Sequence, residues 1–249
     1  GTPGGFGFTP EWRKVAGKQY IDVGIAEEHA IAMSSGIAKN GGKPVFNVYS
    51  TFLQRTYDQL VQDLCVNKNS AVIMNHQASV YGMNDVTHLG FFDIPMLTSI
   101  PNLVYLAPTN NEELLAMTEY AVHQHEHPVA IRVPVGEFIS TGVADTTDYS
   151  LLNKSEVTRR GEGIALLGLG NFYHLADELA KVGINATVVN PKFASGLDEE
   201  LLKDLKVNHS VVFTLEDGVV EGGWGQRVAS FYGPSAMRVK NYGIAKEFH

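Results

Sequence analysis

Short, almost wholly apolar runs alternate along this chain with segments of helical period, and that alternation restricts it to a small set of folds. The first series of runs is KPVFNVY (43–49), SAVIMN (70–75), NLVYLA (102–107) and PVAIRV (128–133), with YIDVG (20–24) ahead of them as a further strand candidate. Helical period fills 27–39, 53–66 and 111–125. The last of these follows APTNNEE, where Thr109 or Asn110 can cap and the acids complement the helix dipole. Strands apolar on both faces need cover on both faces, which predicts parallel sheets between layers of helices.

Residues 137–162 interrupt the rhythm: they are polar, weakly periodic and read as a connection. Alternation then resumes, with strands at GIALLGLG (163–170), NATVVN (185–190), SVVFTLE (210–216) and SAMRVK (235–240). Helices are expected at 172–182, at 198–206 and from GGWGQRVASFY. The expectation is two three-layer α/β/α domains with mainly parallel sheets, 1–140 and 160–249, joined by a linker at 141–159. A chain of 249 residues with 44% hydrophobic content can bury cores of that size.

A formal net charge of −8, with 19 Lys and Arg, argues against a nucleic-acid or anionic-membrane surface. The single cysteine, Cys65, lies in an apolar helical run and cannot form an internal disulfide. No apolar run approaches the roughly 18–20 residues of a membrane span, and a cytoplasmic setting is expected. The amino end, GTPGGFGFTPEW, has no initiator Met and reads as loop, which suggests an excised piece of a longer polypeptide.

In open parallel sheets, ligands bind beyond the carboxyl ends of the strands, and the unusual polar residues fall there. Glu27, Glu28 and His29 follow YIDVG, and Tyr49, Ser50 and Thr51 fall at the end of KPVFNVY. The loop 75–93, NHQASVYGMNDVTHLGFFD, carries His76, Gln77, Asn84, Asp85 and His88, and is long for a simple connection.

The blocks DVGIAEEHA, YSTFLQRTYDQ and THLGFFD, in that order and spacing, closely resemble the pyrimidine-binding domain of the 1-deoxy-D-xylulose-5-phosphate synthase family of transketolase-like thiamine diphosphate enzymes. FASGLDEELL and TLEDGVVEGGWG resemble that family's carboxyl-terminal domain. The resemblance implies that Glu27 is catalytic. It would hydrogen-bond N1′ of the cofactor's aminopyrimidine and favour the tautomer that removes the thiazolium C2 proton. Glu28 stands where the family has Gln and His29 supports the helix start. The resemblance also implies that Phe52 and Arg55 meet the cofactor, that Tyr49, Gln77, Asn84 and His88 line the substrate site, and that His88 donates to a developing oxyanion or moves a proton. The ordinary alternatives are an acid on a first helical turn for Glu27, core packing for Phe52, an Arg55–Asp58 helix pair and a loop histidine for His88.

The implied reaction is that of a transferase. Pyruvate is decarboxylated and its two-carbon unit joined to an aldehyde, with thiamine diphosphate and Mg²⁺ as cofactors. No GDG motif occurs, so the metal ligands are expected in an amino-terminal cofactor-binding domain outside this sequence, the fragment alone is expected to be inactive, and the whole is expected to be a homodimer. Two further readings stay open: a transketolase-type or 2-oxo acid dehydrogenase β subunit paired with a separate chain, and a non-catalytic module. The chain departs from the family at its phosphate clamp, where Gln77 and Val135 replace two arginines and Asn84 replaces an Asp. Neither Gln nor Val is the bidentate cationic partner that a phosphate dianion needs, so a different acceptor, such as an unphosphorylated one, is expected unless Arg132 or Lys192 substitutes. HQHEH (123–127) lacks the carboxylate or cysteine set of a metal site, and GGWG (222–225) is expected to serve close packing before a helix.

Overall fold

The computed structural model describes residues 3–79, 86–134, 136 and 138–248. After helix α1 (Pro10–Ala16), which Thr9 caps by accepting from Trp12 N, the chain runs without a strand to helix α2 (Glu27–Lys39). Residues 20–24 are therefore not the strand their composition predicts. Asp22 accepts the Gly24 N–H at 2.9 Å and Gly24 sits at φ 72°, so this backbone turns on itself rather than joining a ladder.

The next elements are strand β1 (Val45–Tyr49), the short helices α3 (Ser50–Leu53) and α4 (Tyr57–Gln59), and a π-helical turn (Leu60–Cys65). They are followed by β2 (Val72–His76), α5 (Asp93–Thr98), β3 (Val104–Leu106), α6 (Asn111–His123) and β4 (Val129–Val133). The four strands form one parallel sheet in the order β1-β2-β4-β3. Its inner strands are nearly continuous buried runs, as a sheet covered on both faces requires. Helix α2 lays Ala30, Ile31, Ser34 and Ser35 inward, and Ser35 Oγ donates to Asp63 O at 2.6 Å. Helix α6 is capped by Asn110, whose side chain accepts from Glu113 N. Cys65 is buried, and that burial pushes its thiol pKa up to about 12.

A second sheet follows: β5 (Glu156–Arg159), β6 (Gly163–Gly168), β7 (Ala186–Asn190), β8 (His209–Val219) and β9 (Arg238–Ile244), ordered β5-β7-β6-β8-β9. Only β5 is antiparallel. Helices α7 (Phe172–Lys181), α8 (Glu199–Asn208) and α9 (Trp224–Tyr232) cover it. The polar stretch read as a connection is more structured than its composition suggests. It contributes edge strand β5 and buries Tyr149, whose neighbour Asp145 takes hydrogen bonds from Thr147. A polar edge strand carries no apolar alternation, so its sequence gives little sign of it.

The two sheets share a border. Ala107 N donates to Lys192 O at 2.8 Å, Ala194 N to Tyr105 O at 2.7 Å and Val219 N to Phe91 O at 2.9 Å. One apolar cluster runs across it, from Ile31, Leu53 and Ile73 to Val189, Val212 and Trp224. Buried charge crosses it as well: Arg132 on β4 donates Nε to Asp93 Oδ2 at 2.7 Å and Nη1 to Asp217 Oδ1 on β8. Tyr105 donates to Asp93, and Asn75 Nδ2 reaches the Tyr105 hydroxyl at 2.7 Å. Burial opposes the charge on Arg132, but the two carboxylates outweigh it and hold its pKa well above the usual value.

Candidate functional site

The sequence-selected residues meet beyond the carboxyl ends of β1 and β2, whose last residues, Tyr49 and His76, lie side by side in register. The chain leaves β1 directly into α3, so Phe52 stands one turn from Tyr49, with ring centroids 6.1 Å apart. The turn after it carries Arg55 back over the start of α2. Arg55 Nη1 lies 3.4 Å from Glu27 Oε2, and its Nε lies 3.3 Å from Glu28 Oε1. Glu27 is only 6% exposed, whereas His29 is exposed on the outer face of the same turn. The buried acid thus faces the β1–α3 corner, and the ordinary Arg55–Asp58 pairing gives way to contacts with α2.

The loop carrying Thr87 and His88 folds back onto that corner. Thr51 Oγ1 donates to Thr87 O at 2.8 Å, and Ser50 Oγ donates to Gly90 O at 3.2 Å. The His88 ring meets Phe52 edge-on at 5.2 Å, and its Nδ1 lies 2.8 Å from the Thr87 hydroxyl, which orients the imidazole. Gly90 permits this close fold: a Cβ there would lie 2.2 Å from Gln77 O and 2.6 Å from Ser50 Cβ.

Gln77 adopts φ 56°, and its enclosed Oε1 accepts no hydrogen bond among the described residues. Its neighbour His76 bonds Asn47 Oδ1 at 2.9 Å, and burial lowers its pKa to about 4, so the ring is neutral near pH 7. Asn84 and Val135 lie outside the described residues. The expectation that Arg132 or Lys192 could replace a phosphate clamp is corrected. Arg132 is committed to Asp93 and Asp217, and Lys192 is buried against Glu113 at 2.8 Å and Glu156 at 3.0 Å. Sequence reasoning missed Phe6 altogether. Its ring packs 4.8 Å from Tyr49 and 4.7 Å from His76, a contact between distant segments that no local spacing could reveal.

The glycines of GGWG do bring an acid to a helix amino terminus, and the acid is the chain's own. Glu216 accepts from Trp224 N at 2.9 Å and Gly225 N at 2.7 Å. Among the described residues no group of three or more His, Cys, Asp or Glu could hold a metal, and His125 of the histidine run contacts Lys43 at 3.0 Å. No helix among them is long and apolar enough to cross a membrane.

Residues 6–139 match the family model for the transketolase pyrimidine-binding domain, more than half of the chain. The chain belongs to the transketolase family. Residues 153–242 match the transketolase carboxyl-terminal domain. Among curated proteins, this transketolase-family chain is 40% identical over 233 residues to 1-deoxy-D-xylulose-5-phosphate synthase of Lachnoclostridium phytofermentans, covering 92% of the chain and 37% of the relative. It is likewise 40% identical over 217 residues to the synthase of Gloeothece citriformis, covering 85% of the chain and 34% of the relative. The chain therefore spans little more than a third of the length of these relatives. A solved split-gene transketolase, an inactive beta4 tetramer, superposes with a TM-score of 0.80 at 22% identity, over 98% of this chain and 80% of its own, a likeness of fold.

Proposed function

We propose that this chain is the pyrimidine-binding and carboxyl-terminal part of a thiamine diphosphate- and Mg²⁺-dependent synthase that decarboxylates pyruvate and joins the two-carbon unit to an aldehyde. In this reading residues 1–140 and 160–249 are its two domains. The diphosphate and its metal are held elsewhere, by an amino-terminal cofactor-binding domain of the same cytoplasmic, homodimeric enzyme. The observation that carries the proposal is the shielded Glu27 carboxyl at the first turn of α2, braced by Arg55 and one helical corner from Phe52 and His88.

The residues present suit the aminopyrimidine half of the cofactor. Glu27 offers a carboxyl withdrawn from water, able to exchange a proton with a ring nitrogen, and Phe52, on α3 beside His88, offers an apolar face. No described metal-ligand cluster suits the diphosphate half. When bound, thiamine diphosphate supplies the electron sink that makes loss of CO₂ from a 2-oxo acid feasible. Arg55 holds the Glu27 carboxyl in place, Tyr49 lines the substrate side, and His88, oriented by Thr87, donates a proton to the acceptor oxygen as the new C–C bond forms. With an uncharged Gln77 at the clamp position, and with Arg132 and Lys192 each buried against acids, the acceptor in this reading is unphosphorylated.

The test uses the full-length enzyme. Pyruvate-dependent CO₂ release should require both thiamine diphosphate and Mg²⁺ and should fall about 100-fold or more in Glu27→Gln. Unaltered turnover in that variant would overturn the reading and favour a non-catalytic module.

A further inference from the structure

The amino-terminal segment ahead of α1 is built against the substrate side of the first sheet. Gly7, at φ 77°, turns the chain back, with Gly7 N donating to Gly4 O at 3.2 Å. Gly5 lies so near Tyr49 that a Cβ there would stand 2.3 Å from the phenol oxygen, so a larger residue would have to push the phenol aside. Phe8, Trp12 and Tyr20 anchor the segment through ring contacts of 4.6 to 6.1 Å, and Arg13 stacks over Tyr20 at 5.8 Å. Phe6 is thereby set against both Tyr49 and His76, at centroid distances of 4.8 and 4.7 Å. The rings continue in a row from Tyr49 through Phe52 to His88, at 6.1 and 5.2 Å.

We infer that Phe6, Tyr49 and His76 form the wall that selects the acceptor, and that the acceptor is an uncharged aldehyde bearing an apolar chain or ring. The inference rests on the proposed function and names the substrate class of that site. Three features of the wall support it. Aromatic faces pack well against apolar substituents and poorly against a solvated dianion. His76 cannot serve as a cation near neutral pH, because burial lowers its pKa to about 4. Beside it, Gln77 is uncharged and offers no cation to pair with a phosphate. Phe6 touches no reacting atom in this account. It positions the acceptor, whose carbonyl carbon takes the electron pair of the two-carbon unit while its oxygen takes a proton.

The experiment compares benzaldehyde, glyceraldehyde and glyceraldehyde 3-phosphate as acceptors for the full-length enzyme with pyruvate, thiamine diphosphate and Mg²⁺. The wild type should favour benzaldehyde in kcat/KM over the phosphorylated probe. Phe6→Ala should raise KM for benzaldehyde about tenfold with little change in kcat. Phe6→Arg should shift the ratio of kcat/KM toward the phosphorylated probe by at least tenfold. Phe6→Leu, which retains an apolar side chain, should lie between wild type and Phe6→Ala and guards against a variant that fails to fold. Release of CO₂ from pyruvate without any acceptor reads the donor step alone, so its absence in the wild type removes the proposed function and this inference with it. If CO₂ is released but the wild type prefers the phosphorylated probe, or the Phe6 variants leave the ratio where it was, the acceptor wall alone is refuted.

Discussion

Arg55 bridges two elements through one side chain, reaching Glu27 Oε2 at 3.4 Å and Glu28 Oε1 at 3.3 Å from the turn that follows Phe52. The guanidinium is 51% exposed while Glu27 is 8% exposed at its side chain, so water screens one partner and not the other. Such a pair contributes little to stability and a good deal to orientation. Arg55→Met should cost no more than about 1 kcal/mol in urea denaturation. In the full-length enzyme the same variant should raise the apparent dissociation constant for thiamine diphosphate about tenfold, read by titration. Loss of several kcal/mol with unaltered cofactor affinity would make Arg55 a structural brace alone.

Arg132 occupies the opposite extreme. It is 2% exposed and donates hydrogen bonds to Asp93 on α5 and Asp217 on β8, so it ties the two sheets together. Removing it leaves two buried carboxylates facing each other. Arg132→Met should destabilise by about 3–5 kcal/mol in chemical denaturation, and Arg132→Lys should recover little, because an ammonium cannot serve two carboxylates in the planar fork geometry. A near-neutral Arg132→Met would show that the border is held by its apolar cluster instead.

These two arginines mark how far the sequence could be read. The layer architecture follows from periodicity that one sheet face or one helix stripe imposes locally, so Glu27–Lys39 and the Asn110 cap were legible. YIDVG has strand composition but no strand, because Asp22 and Gly24 fix a turn that composition alone does not encode. Tyr49, Phe52, Arg55 and His88 stand out because the blocks that carry them, YSTFLQRTYDQ and THLGFFD, resemble the family's. Arg132 and Lys192 looked available as phosphate ligands only because their acidic partners, Asp217 and Glu113, lie far away in the chain. Phe6 was invisible for the same reason: its meaning depends on Tyr49 and His76, which only tertiary packing brings to it.

Gly90 separates loop geometry from side-chain chemistry. It carries no functional group, yet an added Cβ would meet Gln77 O at 2.2 Å and Ser50 Cβ at 2.6 Å, and neither backbone oxygen nor a helix-start Cβ can move cheaply. Gly90→Ala should therefore displace the Thr87–His88 loop from Thr51. Its expected signature is a stability loss of about 1–3 kcal/mol, together with a fall in carboligation of about 100-fold from misplacing His88. Thermal unfolding and steady-state rates on one preparation would read both, and wild-type rates would contradict the packing argument.

Glu216 makes the stability of the fold depend on pH. Its carboxyl is fully buried on β8, and burial raises its pKa from 4.5 to about 7, even though Gly225 N–H and Trp224 N–H favour the charged form. The folded chain thus holds this proton more tightly than the unfolded chain, which releases it near 4.5. Between those values the unfolded state binds fewer protons, so stability falls as pH rises from 4.5 toward 7 and levels off above. The size of the effect is on the order of 3 kcal/mol, from about 1.4 kcal/mol per unit. Glu216→Gln should remove that part of the slope while keeping an acceptor for one of the two N–H groups at the start of α9. Denaturation midpoints for wild type and variant across this range give the difference directly, because other titrating groups, Asp217 included, are common to both. Parallel slopes would mean that Glu216 stays ionised in the folded protein, held there by the helix amino terminus and by Arg227.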